Sequence, residues 1–157
     1  MTIWILSGLT MIFISYASED HAYAAKLYAA LRACGLEPWM DKPPAPFQGD
    51  GLQVGQRWLP TLVGKIRGAD YIILVLSPRS VSKRGFVSRE FRLALDLMNE
   101  LPDDQLLVFP ILAEDCNVPS LQVGSINLKD IQWEKVVDAE LSDFANRLCA
   151  RLLGVVS

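Results

Sequence analysis

Glu90 is the side chain whose position most invites chemistry. Phe86, Glu90, Leu93 and Leu97 stand at i, i+4, i+7 and i+11, and Phe91, Ala94, Leu95 and Met98 make an adjoining apolar stripe. A carboxylate within that face, one turn into a helix, is either a partner for the helix macrodipole or a functional acid. Arg79, Lys83, Arg84, Arg89 and Arg92 surround it in sequence, a basic group that draws in a phosphorylated ligand or solvates the surface. His21 is the chain's single histidine and sits in a first helical turn. A Ser-His-Asp triad would have to use it, a zinc site would have to lean on cysteines, and HExxH cannot occur. Gly49, Gly51 and Gly55 miss the dinucleotide fingerprint by one residue and follow a proline-rich loop. Gly64-Lys65 lacks the Ser or Thr of a P-loop.

Composition narrows the classes further. At 157 residues the chain makes one domain, by the usual ~100–200 residues per domain. A domain of this size buries about two-thirds of its unfolded surface without a disulfide or metal staple. Lys and Arg total 15 against 18 Asp and Glu, a net charge of −3 that disfavours direct binding of nucleic acid. Cys34, Cys116 and Cys149 form no CxxC and sit in or beside apolar segments, which predicts buried thiols in a reducing cytoplasm. Residues 1–9 (MTIWILSGL) lack a basic n-region and a small-residue cleavage site. The apolar run to Ile14 is interrupted by Ser7, Gly8 and Thr10, and it falls short of the ~20 residues of a membrane span. The expectation is a soluble, cytoplasmic domain over 11–153, with 1–10 an extension and 154–157 a tail.

The elements that must position Glu90 alternate between strand and helix. Met11–Ser15 is a β-rich run, and Asp20–Cys34 has helical spacing closed by Gly35. Leu36–Met40 is a short strand. Lys42–Gly55 holds three Pro and three Gly in fourteen residues and is a loop long enough to suggest function. Trp58, Leu62 and Ile66 mark a helix over Gln56–Arg67. Tyr71–Leu76 and Leu106–Leu112 are all-apolar strands, buried on both faces. Ser77–Gly85 reads as a polar loop and Phe86–Asn99 as a helix. Asp115–Gly124 reads as irregular, Ser125–Leu128 as a short edge strand and Asp138–Leu153 as an amphipathic helix.

That alternation predicts an α/β fold, a doubly wound five-stranded parallel sheet in the flavodoxin-like order 2-1-3-4-5. Its switch point lies between strands 1 and 3, where ligands bind outside the carboxyl ends. Ser15–Asp20 and Ser77–Glu90 fall there, and both are polar and rich in hydroxyls. A receiver-like phosphoacceptor would need an Asp after strand 3, where Ser77 stands.

FISYASED (Phe13–Asp20) resembles the first signature box of the TIR (Toll/interleukin-1 receptor) domain family. Further parts follow in register. GLEPWMD (Gly35–Asp41) is similar to the family's second strand and the start of its BB loop, and Trp58…Ile66 to the W-x(7)-I of the next helix. Ala69-Asp70 before YIILVLSP is similar to the third strand. Ser77…Ser80 with Phe86…Glu90 is similar to S-x-x-S…W-C-x-x-E. The resemblance runs over about 11–153 and implies the TIR fold of bacterial-type members.

By that resemblance, the activity expected is cleavage of the nicotinamide–ribose bond of NAD to ADP-ribose or a cyclic isomer. NAD is substrate, and neither cofactor nor metal is implied. Glu90 takes the catalytic position, and Ser15, Tyr16, Asp41 and Phe86 the substrate-binding wall. Phe86 replaces the family's Trp while keeping a stacking face, and Val87 replaces Cys. A lone carboxylate suits this reaction, because nicotinamide departs neutral and needs no general acid, unlike the alkoxide of an ordinary glycoside. The resemblance also implies antiphage defence signalling, self-association through the BB loop at about 42–57, and a fused or partnering sensor domain. The other function it allows is a non-catalytic adaptor acting by TIR–TIR contact.

Overall fold

The computed structural model describes residues 10–82, 92, 95, 96, 99, 100, 108–118, 120, 122, 123 and 126–154. Parallel strands β1 (Met11–Ser15), β2 (Glu37–Trp39), β3 (Tyr71–Leu76), β4 (Val108–Leu112) and β7 (Glu134–Lys135) form one sheet in the order β2-β1-β3-β4-β7. This is the expected 2-1-3-4-5 arrangement, with β7 as the fifth strand. Strands β5 (Gln122–Val123) and β6 (Ile126–Asn127) pair antiparallel in a separate ribbon. The edge strand expected over Ser125–Leu128 is therefore corrected. The edge is the Glu-Lys dipeptide, joined to β4 through Ile111↔Glu134 and Leu112↔Lys135. Both its residues are exposed, so no buried face writes an apolar alternation into the sequence.

The central strands are apolar throughout because helices cover both faces. Ile12, Ile14, Ile73, Val75 and Ile111 point to one side, onto α1 (His21–Ala33) and α4 (Leu141–Leu153). Phe13, Ile72, Leu74, Leu76, Val108 and Leu112 point to the other, where Leu62 and Ile66 of α2 (Trp58–Gly68) pack with Leu95. The two sets alternate along each strand with the period of two that a pleated backbone imposes. Trp58 opens the apolar stripe of α2 but stays 41% exposed at the first residue of the helix. Arg92, Leu95, Asp96, Asn99 and Glu100 are helical. The rest of the expected Phe86–Asn99 helix, and residues 106 and 107 of the expected fourth strand, lie outside the described residues.

α1 ends in a Schellman turn. Gly35 takes φ +104°, its N–H donates to the Arg32 carbonyl at 3.2 Å, and the Leu36 N–H donates to the Leu31 carbonyl at 3.1 Å. The turn sends the chain straight into β2. Of the three free cysteines, Cys149 is buried while Cys34 and Cys116 are half-buried. Burial pushes the Cys34 thiol up to about 11.

Tyr23 couples the start of α1 to the strand edge. It is 9% exposed and donates its hydroxyl to the Val136 carbonyl, just past β7, at 2.5 Å. Burial first, then Asp138 and its acidic neighbours, raise the phenol well above its ordinary value near 10. The folded chain thus holds this proton at a pH where the unfolded chain releases it. Stability from Tyr23 is present below about pH 10 and is lost as pH climbs above that value. Tyr23→Phe is expected to cost about 1 kcal/mol at neutral pH and to make the alkaline loss of stability shallower. Urea unfolding of both proteins at pH 7 and above pH 10 measures the two effects.

Candidate functional site

At the carboxyl edge of the sheet, the segment after β1 faces the segment after β3. Ser15 ends β1 and is 1% exposed. Ser18–Asp20 makes a single 3-10 turn, with the Asp20 N–H bonded to the Ala17 carbonyl at 2.8 Å, and it aims the Asp20 carboxylate across the edge. Ser77 Oγ donates to Asp20 Oδ2 at 2.5 Å and Arg79 Nε donates to Oδ1 at 2.8 Å. The other side of the Arg79 guanidinium meets Glu114, two residues beyond β4. Asp20 and Ser77 are 4% and 0% exposed, so this bridge is interior.

The segment expected to be a polar loop after Ser77 begins instead as a short helix, α3 (Pro78–Ser82). Ser77 Oγ accepts the Ser80 N–H at 3.1 Å, and the Ser77 N–H donates to Ser80 Oγ at 2.9 Å. Ser at the cap with Pro directly after it is a helix-start signal that was present in SPRS. Arg79 belongs to the basic group that is expected to draw in a phosphorylated ligand or solvate the surface. Its two carboxylate partners make it a structural bridge rather than an uncommitted phosphate ligand. Arg92 is exposed, while Lys83, Arg84 and Arg89 lie outside the described residues.

A second bridge joins β1 to the loop after β2. Tyr16 Oη donates to Asp41 Oδ1 at 2.5 Å, and His21 Nε2 donates to the Lys42 carbonyl at 2.8 Å. The Tyr16 and His21 rings lie 5.9 Å apart. Further along, Phe47 is held between Tyr28 and Arg32, whose guanidinium lies 4.0 Å from the Phe47 ring centroid. The Leu52 N–H returns to the Asp41 carbonyl at 2.8 Å, and Gly51 approaches so closely that a Cβ there would strike Pro43 and that carbonyl. The Lys42–Gly55 loop is thus closed on itself and pinned to α1. In the sequence His21 shows only as a first-turn residue, because a backbone partner 21 positions away writes no local pattern.

Of the site residues expected from sequence, Ser15, Tyr16 and Asp41 are brought to one end of the sheet, and Tyr16 and Asp41 touch. Glu90 and Phe86 lie outside the described residues.

A doubly wound parallel sheet with polar side chains paired across its switch point is the architecture these observations define. The family profile described as TIR domain matches residues 12–153, and the chain belongs to that family. Among solved structures, it is similar to a metazoan TIR-STING receptor from C. gigas in complex with 2',3'-cGAMP. That likeness has 20% identity and a TM-score of 0.64 over 88% of this chain, which spans 38% of the receptor chain. It is also similar to a prokaryotic SEFIR domain at 18% identity and a TM-score of 0.56, covering 91% of this chain and 97% of that one. Both likenesses concern the fold. No curated protein matches by sequence. No helix among the described residues is long and apolar enough to cross a membrane.

Asp20→Ala removes the acceptor of a buried hydroxyl and should destabilise the chain by about 1–3 kcal/mol. Glu114→Ala, at a partner 52% exposed, should change stability little. Denaturant midpoints of the two variants, compared at equal slope, check that order.

Proposed function

We propose that this TIR domain cleaves NAD at the nicotinamide–ribose bond, with Glu90 as the catalytic carboxylate. The observation that carries the reading is that Asp20 and Asp41, two acids at this end of the sheet, are already paired. Asp20 is tied to Ser77 and Arg79, and Asp41 to Tyr16, so both serve the architecture. Glu90 follows Ser82, the end of α3, by eight positions, and the buried Leu95 anchors the chain five positions later. Family membership and the glutamate kept at the end of F-V-x-x-E support the same assignment.

In the reaction the C1′–N1 bond breaks and its electron pair neutralises the pyridinium, so nicotinamide leaves uncharged. The Glu90 carboxylate stabilises the oxocarbenium-like ribose left behind. Water then adds to C1′ and releases a proton, giving ADP-ribose. A ring nitrogen of the adenine in the place of water gives a cyclic isomer. Phe86 stacks on the leaving ring, and Tyr16 and Asp41 form the wall toward the loop, with Ser15 buried beneath. The setting that fits is bacterial antiphage signalling, in the cytoplasm, with activation by self-assembly through 42–57.

Glu90→Gln should lower nicotinamide release, followed by NMR, at least ~100-fold at unchanged melting temperature. Undiminished cleavage in that variant would place the chemistry elsewhere. An adaptor that acts by TIR–TIR contact is the second reading, and Val54 favours it, an apolar side chain held fully in solvent on the 42–57 loop. Wild-type protein that releases no nicotinamide even when concentrated would establish the adaptor. For the enzyme, specific activity should rise with protein concentration, as activation by assembly requires.

A further inference from the structure

We propose that the cavity beside the start of β4 binds a small, flat aromatic anion of the aryl-carboxylate class. It measures about 390 Å³ and lies between β4, residues 131–134 and the inner face of α4. That volume is within the range of small-molecule sites, about 300–1,000 Å³. Its lining includes the aliphatic Val108, Ile111 and Leu148 and the aromatic Phe109, Trp133 and Phe144. Trp133 remains 44% exposed, leaving part of an indole in water.

Two guanidinium groups reach this cavity, and among the described residues only Arg147 has a carboxylate partner. Arg147 is held by Glu134 at 2.7 Å and by Asp143 at 3.1 Å. Arg151 lies 5.5 Å from the Phe109 ring centroid and has no carboxylate partner among the described residues. An aromatic slot with a guanidinium that meets no carboxylate among the described residues selects a ring carrying one negative charge. The ring gains stacking area, and the carboxylate gains a two-point, charge-assisted contact.

The strand edge beside the cavity disfavours an extended peptide. β7 covers β4 at Ile111 and Leu112, and the part before them contains Pro110, which has no N–H to offer an added strand. A compact ligand uses the cavity without that ladder. The site lies toward the amino end of β4, away from the Asp20–Ser77 bridge at the carboxyl edge, and it stands whether or not the chain cleaves NAD.

Titration of the ¹⁵N-labelled full chain with 2-naphthoate, read by ¹H–¹⁵N NMR, tests this. Saturable shifts are expected at the Trp133 indole and the Arg151 guanidinium, with a Kd below about 1 mM. Neutral 2-naphthalenemethanol should bind at least ~10-fold more weakly. Arg151→Gln should reduce 2-naphthoate to the level of the alcohol while leaving the alcohol unaffected, and Trp133→Leu should weaken both. Equal affinity for acid and alcohol, insensitivity to Arg151→Gln in a chain with an otherwise unchanged spectrum, shifts confined to other residues, or no saturable shift would each overturn the proposal.

Discussion

Asp20 is a carboxylate only 4% exposed, and burying such a group is costly unless its oxygens are met by donors. Ser77 meets one oxygen and Arg79 the other, and they come from the opposite side of the switch point. The donors are positioned because β3 ends where it does and Ser77 caps α3. The acid is positioned because the chain makes one 3-10 turn between β1 and α1. Removing Asp20 or Ser77 strands polar atoms inside the protein. The switch point therefore has a fixed geometry, and the chain that leads on to Glu90 starts from it.

The loop after β2 is anchored by different physics. Its first residues are held by directional bonds, Tyr16 to Asp41 and His21 to Lys42, and its middle by Phe47 stacked under Arg32. Beyond those anchors Val54 stands in solvent. Around it Gln53 bonds back to the Gln48 and Gly51 carbonyls, so the loop keeps its shape while Val54 points outward.

The sheet sets what these anchors stand on. Its middle strands are covered on both faces, so an exchange of one residue in register would carry polar ends into the core. β7 contributes two exposed residues and little burial. Beside it the first half of β4 is left to the aromatic cavity rather than to a neighbouring strand.

Periodicity and turn chemistry were local enough to be read from the chain alone. All-apolar YIILVL required cover on both faces, the α1 spacing with Gly35 marked a helix and its Schellman end, and the strand–helix alternation placed Ser15–Asp20 opposite Ser77. The TIR signature segments stood in register, and they supplied the site residues as an expectation. Partnerships between distant residues were not legible. Asp20 and Ser77 are 57 positions apart, Tyr16 and Asp41 25, and nothing in either neighbourhood specifies the other. The strand character of Glu134–Lys135 came from β4 and not from its own side chains, and Arg79 became a bridge only when two carboxylates arrived on either side of it. A local pattern records what a residue does to its own backbone. Which buried charge meets which donor is decided when folding closes the sheet, because only then does desolvation make an unpaired group costly.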